Sequence, residues 1–311
     1  MTKRDFLKLT DLSRDEAYAV FDLATRLKAA PKGSHTHVLA GRAVAVILEK
    51  PSLRTRGSYN VGIAQLGGYP LSIGDEMQLG AREPIRDGAR VLARYCDAIV
   101  YRTFGTDRLL EMATAPVPVV NALTDDGQPG QILCDMFTII EAFQAMEGPN
   151  TPTLAGRRVA FIGNGTSNTV RSLMEAARLF DFHLTVASPE GYRPPADEIA
   201  VTGEHVIFRS SLTAVRDADV IYTDVWRDMG REMDPAVMRA TFSDWTVDNE
   251  LVSVAPPHAI VLHCLPAHRG EEISDEVIEG PRSRVWDQAE NRLHVQKALL
   301  CFLLGVGDRV P

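Results

Sequence analysis

The sequence has no long hydrophobic run. No apolar stretch approaches the roughly 18–20 residues that a membrane-spanning helix requires, so we expect no association with a membrane. The first residues, MTKRDF, contain no apolar segment of the kind found in secretory signals. Together these features predict a soluble protein of the cytoplasm.

Cysteine is scarce, and no two cysteines form a CxxC pair. The four cysteines lie in separate, apolar stretches: Cys96, Cys134, Cys264 and Cys301. This pattern excludes a small secreted fold held together by disulfides. It is typical of reduced thiols in a cytoplasmic protein.

Positive charge is in the minority. The sequence has 33 Lys and Arg against 41 Asp and Glu, which gives a formal net charge of -8. Binding to a nucleic-acid backbone requires a basic face, so nucleic acid is excluded as the main partner. A small anionic substrate would have to be held by local arginines against the overall negative field.

Short β-rich segments alternate with helical patterns along most of the 311 residues. This length predicts two domains at roughly 100–200 residues each, and the alternation predicts an α/β fold with two doubly wound parallel sheets. The Gly- and Pro-rich stretch EGPNTPTLAGRR interrupts the pattern at 147–158. We therefore expect domains at 1–148 and 149–288.

Polar clusters follow the predicted strands. We expect strands at 43–49, 97–104, 117–123, 158–165, 183–189, 219–226 and 259–266, and helices at 13–30, 55–67, 131–146, 168–180 and 289–305. In parallel sheets, ligands bind at the carboxyl ends of the strands. The sequence therefore predicts one active site in a cleft between the two domains.

The stretch Ser52-Leu53-Arg54-Thr55-Arg56 follows the first buried strand. A helix N-terminus offers N–H groups and partial positive charge, and hydroxyls with an arginine fork add hydrogen bonds to phosphate. A solvated helix start would show the same residues. The stretch is a candidate phosphate site.

Two further groups lie at the same predicted edge. Arg102 ends an apolar strand, where it would either bind an anion or form a structural ion pair. The loop TDDGQPGQ carries Gln128 and Gln131. Turn chemistry explains its Gly and Pro, but amide N–H groups also donate to a carbonyl oxygen, as acyl transfer requires.

The stretch FIGNGTSN partly matches a dinucleotide-binding loop. Gly163 and Gly165 fit the first two positions of GxGxxG, whereas Asn168 occupies the third. Glu190 stands at about the distance of a ribose-binding acid. A nicotinamide-dependent oxidoreductase is therefore an alternative.

The segment HCLPAHRG, residues 263–270, places a cysteine beside a histidine. The pair suggests a nucleophile, but on an extended strand the side chains of His263 and Cys264 would point to opposite faces. A zinc site is not expected here, because no second pair of ligands has suitable spacing in the sequence. Further on, Arg292 and Gln296 are four residues apart on one helix face, which a solvated surface would also explain.

In order and spacing, these segments resemble the aspartate/ornithine carbamoyltransferases over nearly the whole chain, and the ornithine branch most closely. SxRTR at 52–56, DMFTI, DVWRDMG and HCLPAHRGEEISDEVIEGP carry the resemblance. It implies a carbamoyl-phosphate-binding first domain, onto which a C-terminal helix at about 289–311 packs, and an ornithine-binding second domain. The implied reaction joins the δ-amine of L-ornithine to the carbamoyl group, giving L-citrulline and phosphate without a metal or organic cofactor.

The resemblance also assigns residues. Carbamoyl phosphate would be bound by Ser52, Leu53, Arg54, Thr55, Gln78, Arg102, Gln131, Cys264, Leu265 and Arg292, with Gln78 reaching from a neighbouring subunit of a homotrimer or a multiple of trimers. Ornithine would be bound by Asn168, Asp224, Asp228 and Met229. Arg102, Gln128, Cys264 and Arg292 would act in catalysis. Because the acceptor amine is itself the nucleophile, the reaction requires no Cys–His pair.

The chain departs from the family pattern in two loops and at two single positions. Its HPCQ loop is Gln128-Pro129-Gly130-Gln131 here, and its SMG loop is Asp228-Met229-Gly230. Gly57 and Asn60 also replace residues that are commoner in the family, which usually has Glu at position 60. Three functions stay open: an ornithine carbamoyltransferase, a carbamoyltransferase for another amine such as a diamine or modified amino acid, and a paralogue that binds carbamoyl phosphate without catalysis.

Overall fold

The chain forms two compact units. The computed structural model describes residues 3–74, 79–148, 154–194, 196–227 and 234–310. The first unit comprises Met1–Cys134 and Glu290–Pro311, and the second comprises Asp135–Ala289. The chain passes between them within two helices, Pro129–Glu147 and Val285–Leu303.

The first unit contains a four-stranded parallel sheet. Its strands are β1 (Ala43–Leu48), β2 (Tyr69–Ile73), β3 (Ala98–Arg102) and β4 (Val119–Leu123). The helices in this part of the chain are α1 (Arg14–Ala29), α2 (Leu53–Gln65), α3 (Ile85–Tyr95), α4 (Thr106–Met112) and α5 (Pro129–Glu147). The spatial order of the strands is β2-β1-β3-β4.

The second unit contains a five-stranded parallel sheet. Its strands are β5 (Arg158–Ile162), β6 (His183–Ala187), β7 (Val206–Arg209), β8 (Val220–Thr223) and β9 (Ile260–His263). The helices here are α6 (Asn168–Phe180), α7 (Ala196–Ala200), α8 (Pro235–Phe242), α9 (Asn249–Ser253), α10 (Asp275–Ile278) and α11 (Val285–Leu303). The spatial order is β7-β6-β5-β8-β9, and the predicted parallel α/β architecture is confirmed.

The central strands are apolar along almost their whole length. β1 reads AVAVIL, and every residue of β3 is buried. Strands of a parallel sheet are covered on both faces, so they cannot alternate between apolar and polar residues. On one face, Ile47 and Ile99 belong to a cluster that includes Leu92 of α3 and Met112 of α4.

Of the nine strands in the described part of the chain, the sequence predicted seven and missed β2 and β7. Both lie at an edge of their sheet. β2 contains Pro70 and is half-buried, while β7 has only four residues, so neither has a continuous apolar run. Edge strands tolerate proline and short length because one side makes no ladder hydrogen bonds.

Each sheet has one point at which its strand order reverses. In the first sheet, β2 lies on one side of β1 and β3 lies on the other. In the second sheet, β6 lies on one side of β5 and β8 lies on the other. A crevice opens there, at the carboxyl ends of the two strands. In the first unit this places Ser52 and Arg102 at one edge. In the second it places Gly163 and Asp224 at one edge.

All four cysteines are buried, and none forms a disulfide in the part of the chain that the structure describes. Within the same residues, no helix combines the length and the apolarity needed to cross a bilayer.

Helix α1 begins with a capping box that is joined to an ion pair. The Ser13 hydroxyl accepts a hydrogen bond from the Glu16 N–H, and the Glu16 carboxylate accepts one from the Ser13 N–H at 2.9 Å. Arg4 also donates to this carboxylate, from Nη2 to Oε2 at 3.0 Å. The hydrogen bond from Arg4, followed by that from Ser13, lowers the pKa of Glu16 from about 4.5 to about 2.

We predict that Glu16→Gln lowers the free energy of unfolding by about 1 kcal/mol at pH 7, a modest value because the Glu16 side chain is one-third exposed. The folded-state pKa is depressed, so this contribution is fully present above about pH 4.5 and is lost as the pH falls towards 2. Urea unfolding across this range measures the difference. The exposed neighbour Asp15 is the control: Asp15→Asn should show a smaller effect, and an equal effect would contradict the assignment.

Candidate functional site

The phosphate-site candidate in the first unit is a capped helix start. Helix α2 begins at Leu53, two residues before the predicted start, and Ser52 is its N-cap. The Ser52 hydroxyl accepts a hydrogen bond from the Thr55 N–H at 3.3 Å and donates to Thr55 Oγ1 at 3.1 Å. Leu53 is 84% exposed, and its backbone N–H lies at the N-terminus of α2. Arg54 is half-buried.

Arg292 of α11 joins this helix start to α5. Its Nη2 donates to Thr55 Oγ1 at 2.7 Å, and its Nη1 donates to Gln131 Oε1 at 2.9 Å. All three side chains are at least 93% buried. The interpretation of this helix face as solvated is therefore wrong. Gln296, one turn later, is also buried and accepts a hydrogen bond from Ser58 at 2.6 Å.

The surroundings of Arg292 are poorly hydrated. Tyr59 is completely buried, and this burial raises the pKa of its phenol, while the charge of Arg292 acts in the opposite direction. In such surroundings, a guanidinium acts on a ligand more strongly than it would in water.

Arg102 and Gln128 are also buried, at 5% and 7% exposure. Arg102 is the last residue of β3, in register with Leu48 of β1 and Leu123 of β4. The Gln128 carbonyl accepts N–H bonds from Gln131 and from the next residue, so Gln128 caps α5, which starts at Pro129 rather than at 131. Both amides therefore lie at a helix N-terminus.

Two ion pairs that the sequence did not reveal support this edge of the sheet. Lys50 pairs with Asp125 of the loop that leads to Gln128. Glu49 accepts hydrogen bonds from Tyr101 and from Arg108. The charged residues that follow β1 and β4 in the sequence could have indicated these ion pairs, because a charge that becomes buried at the end of a strand needs a partner.

Steric crowding does not explain the two glycines at which the first unit departs from the family pattern, Gly130 and Gly57. A Cβ on Gly130 would lie 3.6 Å from the Asn121 carbonyl oxygen and 3.8 Å from the Tyr59 hydroxyl, which are ordinary contacts. A Cβ on Gly57 would face open space. Nothing in the structure explains the glycine at 57 or the asparagine at 60.

The ornithine-site candidates in the second unit meet at the ends of β5 and β8. Asn168 is the first residue of α6, whose N-cap is Ser167. Asp224, directly after β8, is buried; its Oδ2 accepts from the Thr169 hydroxyl at 2.5 Å and its Oδ1 from the Val225 N–H at 2.8 Å. Thr169 was not identified from the sequence, although it is adjacent to Asn168.

The turn after β9 is held by its histidine. The Leu265 N–H donates to His263 Nδ1 at 2.8 Å, and His263 Nε2 donates to Glu272 Oε1 at 3.0 Å. Leu265 has a φ of 58°, a left-handed conformation that costs free energy in a residue other than glycine. The hydrogen bond to His263 fixes that conformation, so His263 shapes the turn that carries Cys264.

The expectation that His263 and Cys264 lie on opposite faces is wrong. The strand ends at His263, and the ligand atoms of Asp224, His263 and Cys264 all lie within 4.8 Å of one another. Both ring nitrogens of His263 are already hydrogen-bonded, so the ring has no position left for the thiol proton or for a metal ion.

A buried hydrogen-bond network anchors the start of this turn. The His263 N–H donates to Gln288 Oε1 at 2.9 Å, and Gln288 Nε2 donates to Asp135 Oδ1 at 2.8 Å. Asp135 Oδ2 accepts from the Tyr222 hydroxyl at 2.8 Å. Burial, together with the negative charge of Asp135, raises the pKa of Tyr222. The conformation of the turn therefore depends on residues from three separate segments.

The GNG stretch contains a glycine with a structural role. A Cβ on Gly165 would lie 2.5 Å from the carbonyl oxygen of Tyr192, so this glycine is required by the chain's own backbone. Glu190 is exposed. The feature that suggested an oxidoreductase has a structural explanation.

Three predicted site residues, Gln78, Asp228 and Met229, lie outside the described residues. The residue that follows Gln78 is described: the Leu79 carbonyl accepts a hydrogen bond from Arg108 at 2.6 Å. The other predicted residues fall into two groups. One, at the first sheet, combines a helix N-terminus with three arginines; the other, at the second sheet, combines a buried carboxylate, an amide and a thiol.

A helix start with three arginines in one α/β unit and a carboxylate–amide group in the other are the features expected of a transferase with an anionic donor and a cationic acceptor. Family models agree with this class. Residues 4–141 match the aspartate/ornithine carbamoyltransferase carbamoyl-P binding domain, and residues 155–303 match the Asp/Orn binding domain of the same family. The chain belongs to the aspartate/ornithine carbamoyltransferase family.

The chain is also similar to individual members of this family. The chain is 60% identical over 310 residues to the ornithine carbamoyltransferase of Sorangium cellulosum, covering 98% of this chain and 99% of that protein. Among solved structures, ornithine carbamoyltransferase from Pyrococcus furiosus is 40% identical with a TM-score of 0.87, covering 98% of each chain. The anabolic ornithine carbamoyltransferase of Campylobacter jejuni is 34% identical with a TM-score of 0.86, covering 96% of this chain and 99% of that chain.

Proposed function

We propose that this protein transfers the carbamoyl group of carbamoyl phosphate to the δ-amine of L-ornithine, giving L-citrulline and phosphate. The observation that carries the proposal is the buried cluster of Thr55, Arg292 and Gln131 at the start of α2, in a chain of this family. The relatives that share most of its length are named for the same reaction.

The first unit would bind the donor. Thr55 Oγ1 already accepts hydrogen bonds from Ser52 and Arg292, so its own proton is available for a phosphate oxygen. The N–H of Leu53 and the guanidinium of Arg54 would add further donors at the N-terminus of α2. Gln78 would complete the phosphate site from a neighbouring subunit.

The transfer passes through a tetrahedral carbon whose oxygen gains negative charge while phosphate departs. Arg102 would donate to both the phosphate and this oxygen, and Gln128 would donate to the oxygen through its amide. Groups fixed in place before the reaction stabilise such charge, typically by roughly 3–4 kcal/mol for each donor. Gln131 would orient the carbamoyl amine, and Arg292 would hold Gln131 in that position.

The second unit would bind the acceptor. Asp224 is a buried carboxylate whose orientation is fixed by Thr169 and the Val225 N–H, and it would attract the α-amino group of ornithine. Asn168 would bind the α-carboxylate, with Asp228 and Met229 closing over the side chain. Cys264 and Leu265 would contact the carbamoyl group and the attacking amine. The amine must lose its proton before it attacks, since an ammonium has no lone pair.

We also propose that the enzyme acts in the cytoplasm, in the direction of arginine biosynthesis. The Campylobacter jejuni relative, described as anabolic, supports this direction. Comparing the rate of citrulline formation with the rate of citrulline phosphorolysis checks it.

We propose a homotrimer in which Gln78 of one subunit completes the site that contains Arg54 of the next. The variants Gln78→Ala and Arg54→Ala should each be nearly inactive alone. Their co-expression should restore part of the activity, because mixed trimers contain some sites with both residues intact. A sedimentation mass of three chains is expected, and absence of complementation in a trimer would show that both residues serve the same subunit's site.

A panel of amines tests the acceptor. L-ornithine, L-lysine, putrescine, N-acetylornithine and L-aspartate are each supplied with carbamoyl phosphate, and both phosphate and ureido product are measured. We expect kcat/KM for L-ornithine to exceed the others by about 100-fold or more, since the site would bind both α-groups. Turnover with putrescine but not ornithine would make the protein a diamine carbamoyltransferase. Binding of a bisubstrate phosphonate without turnover of any amine would make it a non-catalytic paralogue.

Gln128→His tests the carbonyl donor. If Gln128 donates to the carbamoyl oxygen, the histidine that is usual in the family should raise kcat by about five- to tenfold, or about 1 kcal/mol, because its ring N–H is more rigidly directed. Steady-state kinetics measures the change. Gln144→His, on the exposed part of the same helix, is the control and should leave kcat unchanged. An unchanged or lower rate for Gln128→His would remove Gln128 from this position.

A further inference from the structure

A second cluster of possible metal ligands follows the HCLP turn. His268, Glu271 and Glu272 each offer one ligand atom, and these atoms all lie within 4.8 Å of one another. His268 Nδ1 is 3.8 Å from Glu271 Oε2 and 3.7 Å from Glu272 Oε2. The proposed transfer reaction uses none of these side chains.

Glu272 is the unusual member of the cluster. Its side chain is completely buried. Oε1 accepts hydrogen bonds from His263 Nε2 at 3.0 Å and from the His268 N–H at 2.6 Å. Oε2 is also buried but has no hydrogen-bond partner among the described residues. A buried carboxylate oxygen without a hydrogen bond costs free energy, which a bound cation would recover.

The two other groups complete an open site. Glu271 Oε1 faces Arg239 at 3.6 Å, which leaves Oε2 directed at His268. The His268 side chain is 48% exposed and Glu271 is 24% exposed, so an ion can enter from solvent and keep a water ligand. Metal–ligand bonds of about 2.0–2.1 Å in a tetrahedral site put ligand atoms roughly 3.4 Å apart, so the two separations from His268 Nδ1 need to shorten by only a few tenths of an ångström. The two glutamate oxygens lie within 4.8 Å of each other.

We propose that His268 Nδ1, Glu271 Oε2 and Glu272 Oε2 bind a divalent first-row transition-metal ion, with Zn²⁺ as the representative ion. One imidazole and two carboxylates suit a borderline cation such as Zn²⁺ or Co²⁺, whereas Ca²⁺ and Mg²⁺ prefer oxygen ligands alone. The carboxylate of Glu272 would then join the ion to His263, and through His263 to Leu265. Occupancy would therefore stiffen the turn that carries Cys264.

Binding of Zn²⁺ to the full-length, chelator-treated protein tests the proposal. The reference protein is Cys264→Ser, which removes the thiol of the nearby Asp224–His263–Cys264 cluster. In that background His268→Gln and Glu271→Gln should each weaken Zn²⁺ binding by about tenfold or more in equilibrium dialysis. The matched control is His258→Gln, because His258 is equally exposed and contacts one carboxylate, that of Asp219; its effect should be below twofold.

Two further measurements identify the ligands. Zn²⁺ should raise the Tm of the Cys264→Ser protein but not that of its His268→Gln derivative. Co²⁺ bound to the protein with Cys264 intact should give visible absorption without an intense sulfur-to-metal band in the near ultraviolet. Equal Zn²⁺ affinity with and without His268, or a sulfur band that disappears with Cys264, would overturn the proposal. Absence of measurable binding would leave His268 as an ion-pair partner of the two glutamates and would also overturn it.

Discussion

The guanidinium of Arg292 is the interaction on which the first unit's polar edge depends. It donates to Thr55 at the start of α2 and to Gln131 at the start of α5, so one side chain from the last helix sets the relative position of two helix N-termini. Both of those termini bring N–H groups and partial positive charge to the same place. Because the group is buried, its charge needs a partner, and among the described residues its hydrogen-bond acceptors are neutral oxygens rather than a carboxylate. A negatively charged ligand is the natural complement to such a site.

Parallel-sheet topology explains why residues far apart in the sequence act together. β1 and β3 end at the same level, as do β5, β8 and β9, because their registers align Leu48 with Arg102 and Ile162 with Thr223 and His263. The residue after each of these strands therefore emerges at one edge. The site candidates Ser52, Arg102 and Asp224 follow or end the strands at which the strand order reverses, where the connections leave in opposite directions and open a crevice.

Much of this arrangement could be predicted from the sequence. Apolar runs located the inner strands, and the motifs SxRTR and HCLP located the polar edges. The failures have physical causes. Edge strands β2 and β7 lack a continuous apolar run; the burial of Arg292 depends on packing between distant segments; and the proximity of His263 and Cys264 depends on where β9 ends. Glu272 could not be identified as the partner of His263, because eight residues of irregular chain lie between them and only the fold brings the two side chains together.

The position of α11 has a consequence for how the protein is made. Residues Glu290–Pro311 belong to the first unit, yet they leave the ribosome after all of Asp135–Ala289. N-terminal domains generally fold first during synthesis. Here the hydrogen bonds from Arg292 to Thr55 and Gln131 can form only after the second unit has been translated. Until Arg292 has been translated, the first unit lacks the guanidinium that links the starts of α2 and α5.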